Sequence, residues 1–289
     1  MDKTMSKAME KLHKSNLLIY VFVISFAFYL LTKSVIFAFL GGMSLIGAFL
    51  LDIFIGAMSG GWKKEMLEVA KAFVMALVLW FGVSFILGTS VPISGVVSCS
   101  LLPSYERGDF VIVQGIRAED INAPTVEISQ QELDALLSLK VGCGQDGPAT
   151  YVCQELCPRI SSATKEVIGF SPECVRSISI NSSLSGITDI DENLSNDVIV
   201  YATHINGTYI NMDIVHRTFL KLKVNESYYI LTKGDNNNYM DVSYFDLVRA
   251  QDVKGKVIAR VPILGYVKLF ISGPSYYGEP EGCDTILLH

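Results

Sequence analysis

Three short segments carry side chains able to do hydrolytic chemistry. The first is Ser98-Cys99-Ser100-Leu101-Leu102-Pro103, followed by Gly108-Asp109 and a run of β-forming residues at 110–113. A serine hydroxyl is a weak nucleophile until a neighbouring base takes its proton, so Ser100 needs a partner. Pro103 stiffens the turn after it, and Gly108-Asp109 signals a return into a strand. The chain has four histidines, His13, His204, His216 and His289. His13 lies in the N-terminal segment, His289 is the last residue, and His204 falls at a hairpin tip that Asn206-Gly207 would turn. His216 instead sits in Asp213-Ile214-Val215-His216-Arg217, inside an alternating strand pattern. Imidazole titrates near neutrality, and a strand would hold the ring in place, so His216 suits general-base work. The third segment is Lys233-Gly234-Asp235-Asn236-Asn237, with Asp241 beyond it. A carboxylate here could fix the tautomer of an imidazole, and the residues leave Asp235 and Asp241 as alternatives. Each segment also has an ordinary reading, since serines cap turns and strand histidines are often structural.

The elements that must position these residues begin in a membrane. Half of the 289 residues are hydrophobic, and apolar stretches at about 16–31, 35–58 and 72–93 approach the roughly 20 residues needed to cross a bilayer. Thr32, Lys33 and Ser34 would turn the first into the second. Asp52 is expected near the headgroups or facing another helix, because a carboxylate in hydrocarbon is costly. Lys3, Lys7, Lys11 and Lys14 precede the first stretch, and Lys63, Lys64 and Lys71 precede the third, against Lys33 alone on the other side. Positive charge marks the cytoplasmic side, so the chain is expected to leave the membrane outward at Ile93. The domain boundaries are therefore 1–93 for three transmembrane helices and 94–289 for an extracytoplasmic domain.

That outer domain reads as mainly β, with strands at 96–99, 110–114, 197–203, 214–222, 228–232 and 256–261. Between about 126 and 191 the pattern changes to a short helix at 129–139, a cysteine cluster and a polar stretch. This segment reads as an insertion stapled by disulfides onto a smaller β core. Cys143, Cys153, Cys157 and Cys174 are expected to form two disulfides of unstated pairing in an oxidising compartment, with zinc as the rival and Cys99 and Cys283 unassigned. Sequons at Asn181, Asn193, Asn206 and Asn225 agree with an outer location and N-glycosylation. A net charge of −6 with no basic stripe argues against nucleic acid. No phosphate-cradling loop, dinucleotide fingerprint, metal site or cofactor is expected.

Taken in order, the three segments resemble the boxes of type I signal peptidases, in the archaeal and endoplasmic-reticulum branch that uses histidine where the bacterial branch uses lysine. The first box is matched by Ser98 to Pro103 and the following Gly108-Asp109, the second by Val215-His216-Arg217, and the third by Lys233 to Asn237 with Asp241. The sequence Val261-Pro262-Ile263-Leu264-Gly265 resembles the family's closing segment, and Leu101 replaces its usual methionine. The resemblance implies Ser100 as nucleophile, His216 as base, Asp241 or Asp235 as the orienting acid, and an oxyanion hole from the Ser98 hydroxyl and the Ser100 amide. It also implies a multi-pass enzyme of the cell or endoplasmic-reticulum membrane that cleaves preprotein signal peptides after small side chains. Accessory or secretion-channel subunits are possible partners. The extended substrate is expected beside 93–97 and 198–201. The alternatives are an inactive membrane-anchored binding protein of the same fold, or a related serine peptidase that matures other surface proteins.

Overall fold

The computed structural model describes residues 3–32, 34–138, 143–144, 149–262, 264–266, 269 and 282–289. Two compact units result, one of Met1–Ile86 with Leu264–Glu279 and one of Leu87–Ile263 with Pro280–His289. Apolar helices thus come first and a mainly β domain with three disulfides follows, in line with the expected fold class.

In the first unit, α1 (Lys3–Lys14) is short and basic at its end, and it is followed by α2 (Leu17–Thr32), α3 (Val35–Gly60) and α4 (Trp62–Leu87). Both α3 and α4 are long and apolar enough to cross a membrane. At 1.5 Å per residue, the 16 residues of α2 cover only about 24 Å, less than a hydrocarbon core of about 30 Å. The third expected stretch shifts as well. Its helix begins at Trp62 and ends at Leu87, so Lys63, Lys64 and Lys71 lie within it and Ile93 lies beyond it. Asp52 falls well inside α3, with its carboxylate 3.9 Å from His13 Nε2 of α1.

The second unit holds two sheets. In the first, β1 (Ile93–Gly95), β2 (Phe110–Gln114), β7 (Val198–Ile205), β8 (Thr208–Val224), β9 (Ser227–Lys233), β10 (Val248–Arg249) and β11 (Val253–Val261) lie in the order β1-β2-β11-β7-β8-β9-β10. The short β3 (Thr125–Glu127) pairs parallel to β8. The second sheet has the order β12-β4-β5-β6, from β4 (Ala149–Ser161), β5 (Val167–Ser182), β6 (Gly186–Asp191) and β12 (Thr285–Leu287). Asn206 and Gly207 turn β7 into β8 with both residues at positive φ, as a tight hairpin requires.

The segment expected as a stapled insertion is therefore a sheet, and its attachment differs from the expectation. The disulfides Cys143–Cys153 and Cys157–Cys174 both lie within it. What joins the sheets is a shared core, in which Tyr151, Val175, Ile178, Ile180 and Ile190 pack with Phe219, Leu220, Leu222 and Leu231. Burying each large apolar side chain stabilises by about 1.5–3 kcal/mol, so this contact outweighs any single link. The helix α5 (Gln130–Ser138) adds Leu133 and Leu136 to the same core. Its N-terminus is capped reciprocally: Glu132 accepts from the Ser129 amide at 2.6 Å, and the Glu132 amide faces Ser129 Oγ at 3.3 Å. The third disulfide, Cys99–Cys283, leaves no free cysteine and no thiolate set for zinc.

Candidate active site

Strand alternation gathers His216 and its supports. Successive side chains on a strand point to opposite faces. In the ladder, Tyr201 opposes Ile214, Ile199 opposes His216, and Thr218 opposes Thr232, so Tyr201, His216 and Thr232 share one face of the first sheet. Asp241 enters beneath them from a turn of 3-10 helix, Asp241–Ser243, after β9. His216, Asp241, Tyr201 and Thr232 are all buried.

Ser100 arrives from the loop between β1 and β2. Leu101 and Leu102 are buried and anchor that loop, with Leu101 only 1% exposed. The loop closes on itself: Gly108 N–H donates to the Val96 carbonyl, Val96 N–H to the Asp109 carbonyl, and Arg107 Nε to the Val97 carbonyl. Asn236 binds it from the other side, donating its amide N–H to the Ser100 carbonyl at 2.7 Å and its side-chain amide to the Cys99 carbonyl at 3.1 Å.

The resulting geometry is a hydrogen-bonded chain. Ser100 Oγ lies 2.8 Å from His216 Nε2, and His216 Nδ1 lies 2.7 and 2.8 Å from the two oxygens of Asp241. A carboxylate can only accept, so Nδ1 carries the proton and Nε2 presents a lone pair to the serine hydroxyl. Asp241 is held in turn by Tyr201 Oη at 2.8 Å and Thr232 Oγ1 at 2.6 Å. Burial, and then the adjacent Asp241 charge, push the Tyr201 phenol well above its usual value, so it stays a donor. Ser98 Oγ lies 3.0 Å from Ser100 Oγ, and the Ser100 amide has no acceptor among the described residues.

Of the two alternative acids, Asp241 touches the imidazole and Asp235 does not. Asp235 pairs with Arg217 through two hydrogen bonds, Nε to Oδ1 at 2.8 Å and Nη2 to Oδ2 at 2.7 Å, and accepts from Ser104 Oγ at 2.6 Å. Arg217 follows His216 directly, so its side chain leaves the opposite face and draws Asp235 with it. His204 lies 3.9 Å from the Asp252 carboxylate, at the hairpin end of the sheet. Tyr201, Thr232 and Asn236 are the contributors that sequence reasoning missed. Only a correct cross-strand register would have revealed the first two.

Comparison with known proteins adds a second line of observation. The catalytic subunit SEC11 of the signal peptidase complex from Verticillium alfalfae is 35% identical over 96 residues, covering 32% of this chain and 51% of that protein. Its counterpart from Candida tropicalis is 37% identical over 86 residues, covering 28% and 49%. The SEC11 protein of Aspergillus terreus is 24% identical over 213 residues, covering 72% of this chain and 80% of its own length. This chain is similar to catalytic subunits of signal peptidase complexes. No family model matches it, and it spans about half the length of the curated signal peptidase subunits it matches first.

The expected place of an extended peptide is a question of sheet edges. Among the described residues the strand β1 is an edge, paired with β2 alone. The expected second wall at 198–201 is corrected by the topology: it lies in β7, between β11 and β8, and Val198, Ile199, Val200 and Tyr201 are buried. Its backbone groups already serve two neighbours, so it has no free edge to offer a peptide.

Proposed function

We propose that this protein is a membrane-bound serine endopeptidase that removes signal peptides from secreted preproteins by acyl transfer. Ser100 is the nucleophile, His216 the general base and Asp241 the residue that orients it. The observation that carries this reading is the 2.8 Å contact between Ser100 Oγ and His216 Nε2, within a chain that ends on a buried carboxylate.

The steps follow from the contacts. His216 Nε2 takes the Ser100 proton as Oγ attacks the scissile carbonyl. The imidazolium is stabilised by Asp241, and the developing oxyanion by the Ser98 hydroxyl and the Ser100 amide; removing one such donor typically costs about 10²–10³ in rate. His216 then gives its proton to the leaving amine, and the peptide bond breaks to leave an acyl ester on Ser100. Water, deprotonated by His216, hydrolyses that ester and returns the proton to Ser100. An extended substrate would add to the free edge of β1.

The catalytic domain is assigned to the extracytoplasmic side. Three disulfides suit an oxidising compartment, and the sequon residues Asn181, Asn193, Asn206 and Asn225 are all exposed. The relatives are named as subunits of a complex, which supports accessory subunits here too.

The test is to incubate the purified, detergent-solubilised protein with preproteins and sequence the new N-termini. Cleavage at the end of the signal peptide, abolished by Ser100→Ala and by His216→Ala, is the expected result. Unchanged processing by Ser100→Ala would reject the nucleophile and favour a binding protein of the same fold.

A further inference from the structure

Arg159, on β4 of the second sheet, lines a cleft of about 640 Å³ together with Ser98, Ser100, Asn237, Tyr244 and Phe245. Its guanidinium is half-buried and forms four hydrogen bonds, all to uncharged oxygens. Nε donates to Ser171 Oγ at 2.8 Å, Nη1 to Asn236 Oδ1 at 2.8 Å, and Nη2 to the Asn236 carbonyl at 3.2 Å and to Asn238 Oδ1 at 2.6 Å. No carboxylate among the described residues comes within ion-pair distance of it. Arg117, Arg176, Arg217, Arg249 and Arg260 contrast with this, because each meets an acidic side chain. Burial pulls the Arg159 proton affinity down, yet an arginine stays charged. One N–H of Nη1 also lacks a protein acceptor among the described residues.

A fixed positive charge that meets no carboxylate among the described residues and shares a cleft with Ser100 suits a negative group on whatever Ser100 attacks. We infer that Arg159 is a specificity-determining residue that receives a substrate carboxylate, an aspartate or glutamate side chain within a few residues of the scissile bond. The inference rests on the peptidase reading of Ser100. Its position favours a peptide carboxylate over a lipid phosphate, because the guanidinium shares its cleft with Ser98 and Ser100 and is tied through Asn236 to the Ser100 carbonyl. The planar fork, held by Ser171 and the two asparagines, is already oriented and loses little freedom on binding.

The experiment uses the full-length protein in detergent and a cleavable signal-sequence peptide. A single aspartate is walked through three positions on each side of the cut, each beside its asparagine twin, and kcat/KM is read as an Asp-to-Asn ratio within each enzyme variant. At one position the natural protein is expected to prefer aspartate by about tenfold or more, as a charge-assisted hydrogen bond allows. Arg159→Gln should bring that ratio close to one, and Arg159→Lys should keep part of it. Rising salt should shrink the ratio in the unmodified protein, a readout that stands even if Arg159→Gln cleaves neither peptide. A flat ratio at every position with normal cleavage, a ratio indifferent to salt, or a preference that survives Arg159→Gln overturns the inference and leaves the peptidase reading intact. Failure of the unmodified protein to cut any peptide or preprotein rejects both.

Discussion

Gly234 approaches Ser100 so closely that a Cβ added to the glycine would lie 2.6 Å from the Ser100 carbonyl oxygen. The neighbour is backbone, so one of the two chains must move. Gly234→Ala is expected to fold and to lose about 10²-fold in kcat/KM, the scale on which a displacement near 1 Å acts. Steady-state kinetics beside a thermal melt would check this, and full activity in the alanine variant would show that the close approach is not required.

The two aspartates should fail in different ways. Asp241→Asn keeps the shape but no longer demands a proton on His216 Nδ1, so kcat is expected to fall on the order of 10³–10⁴ with little change in melting temperature. Asp235→Asn leaves Arg217 buried without its counter-charge, which costs about 3 kcal/mol or more of stability. Measuring both quantities on both variants gives four numbers, and the reverse pattern would exchange the roles assigned to the two residues.

Helix α5 contains a titratable brace. Backbone hydrogen bonds from Ser129 and then Ser183 lower the Glu132 carboxyl from 4.5 to about 2. A group held below its unfolded value stabilises the fold above that unfolded value and loses its contribution as pH falls through the folded one. The melting temperature gap between the natural protein and Glu132→Gln should therefore be full above pH 4.5 and close as pH falls to about 2. A gap that persists at the acid end would mean that the charge is not what braces the helix.

The disulfide Cys99–Cys283 joins residues 184 apart in sequence, one of them adjacent to Ser100. Replacing both cysteines by alanine is expected to cost about 2–5 kcal/mol of stability. Because Cys99 flanks the proposed nucleophile, kcat should also fall in the fraction that remains folded. Denaturant titration paired with active-site labelling by a serine-directed phosphonate would separate the two effects.

Much of the candidate site was legible in the sequence. Ser100, His216 and Asp241 stand in short ordered boxes whose residue types already name a chemistry, and the choice between Asp235 and Asp241 needed only the knowledge of which strand face each meets. Tyr201 and Thr232 were hidden because their part depends on register across three strands, which no local pattern encodes. The second sheet was hidden for a different reason. Pro158, Gly169 and Pro172 interrupt β4 and β5 with turn-forming residues, and pairing along a long hairpin overrides that local preference. The start of α4 was misplaced because Lys63 and Lys64 resemble a loop, whereas long lysine stems can run along a helix end and carry their charge outward.

Asn236 gives the molecule an order of assembly. It donates to the Cys99 and Ser100 carbonyls on one side, and on the other it donates to the Thr285 carbonyl and accepts from the Leu287 amide. A ribosome that has released the protein only through Asp252 has already delivered Ser100, His216 and Asp241, yet β12 and Cys283 are still unmade. The nascent chain therefore carries all three side chains of the candidate site before it carries the strand that steadies the Ser100 loop.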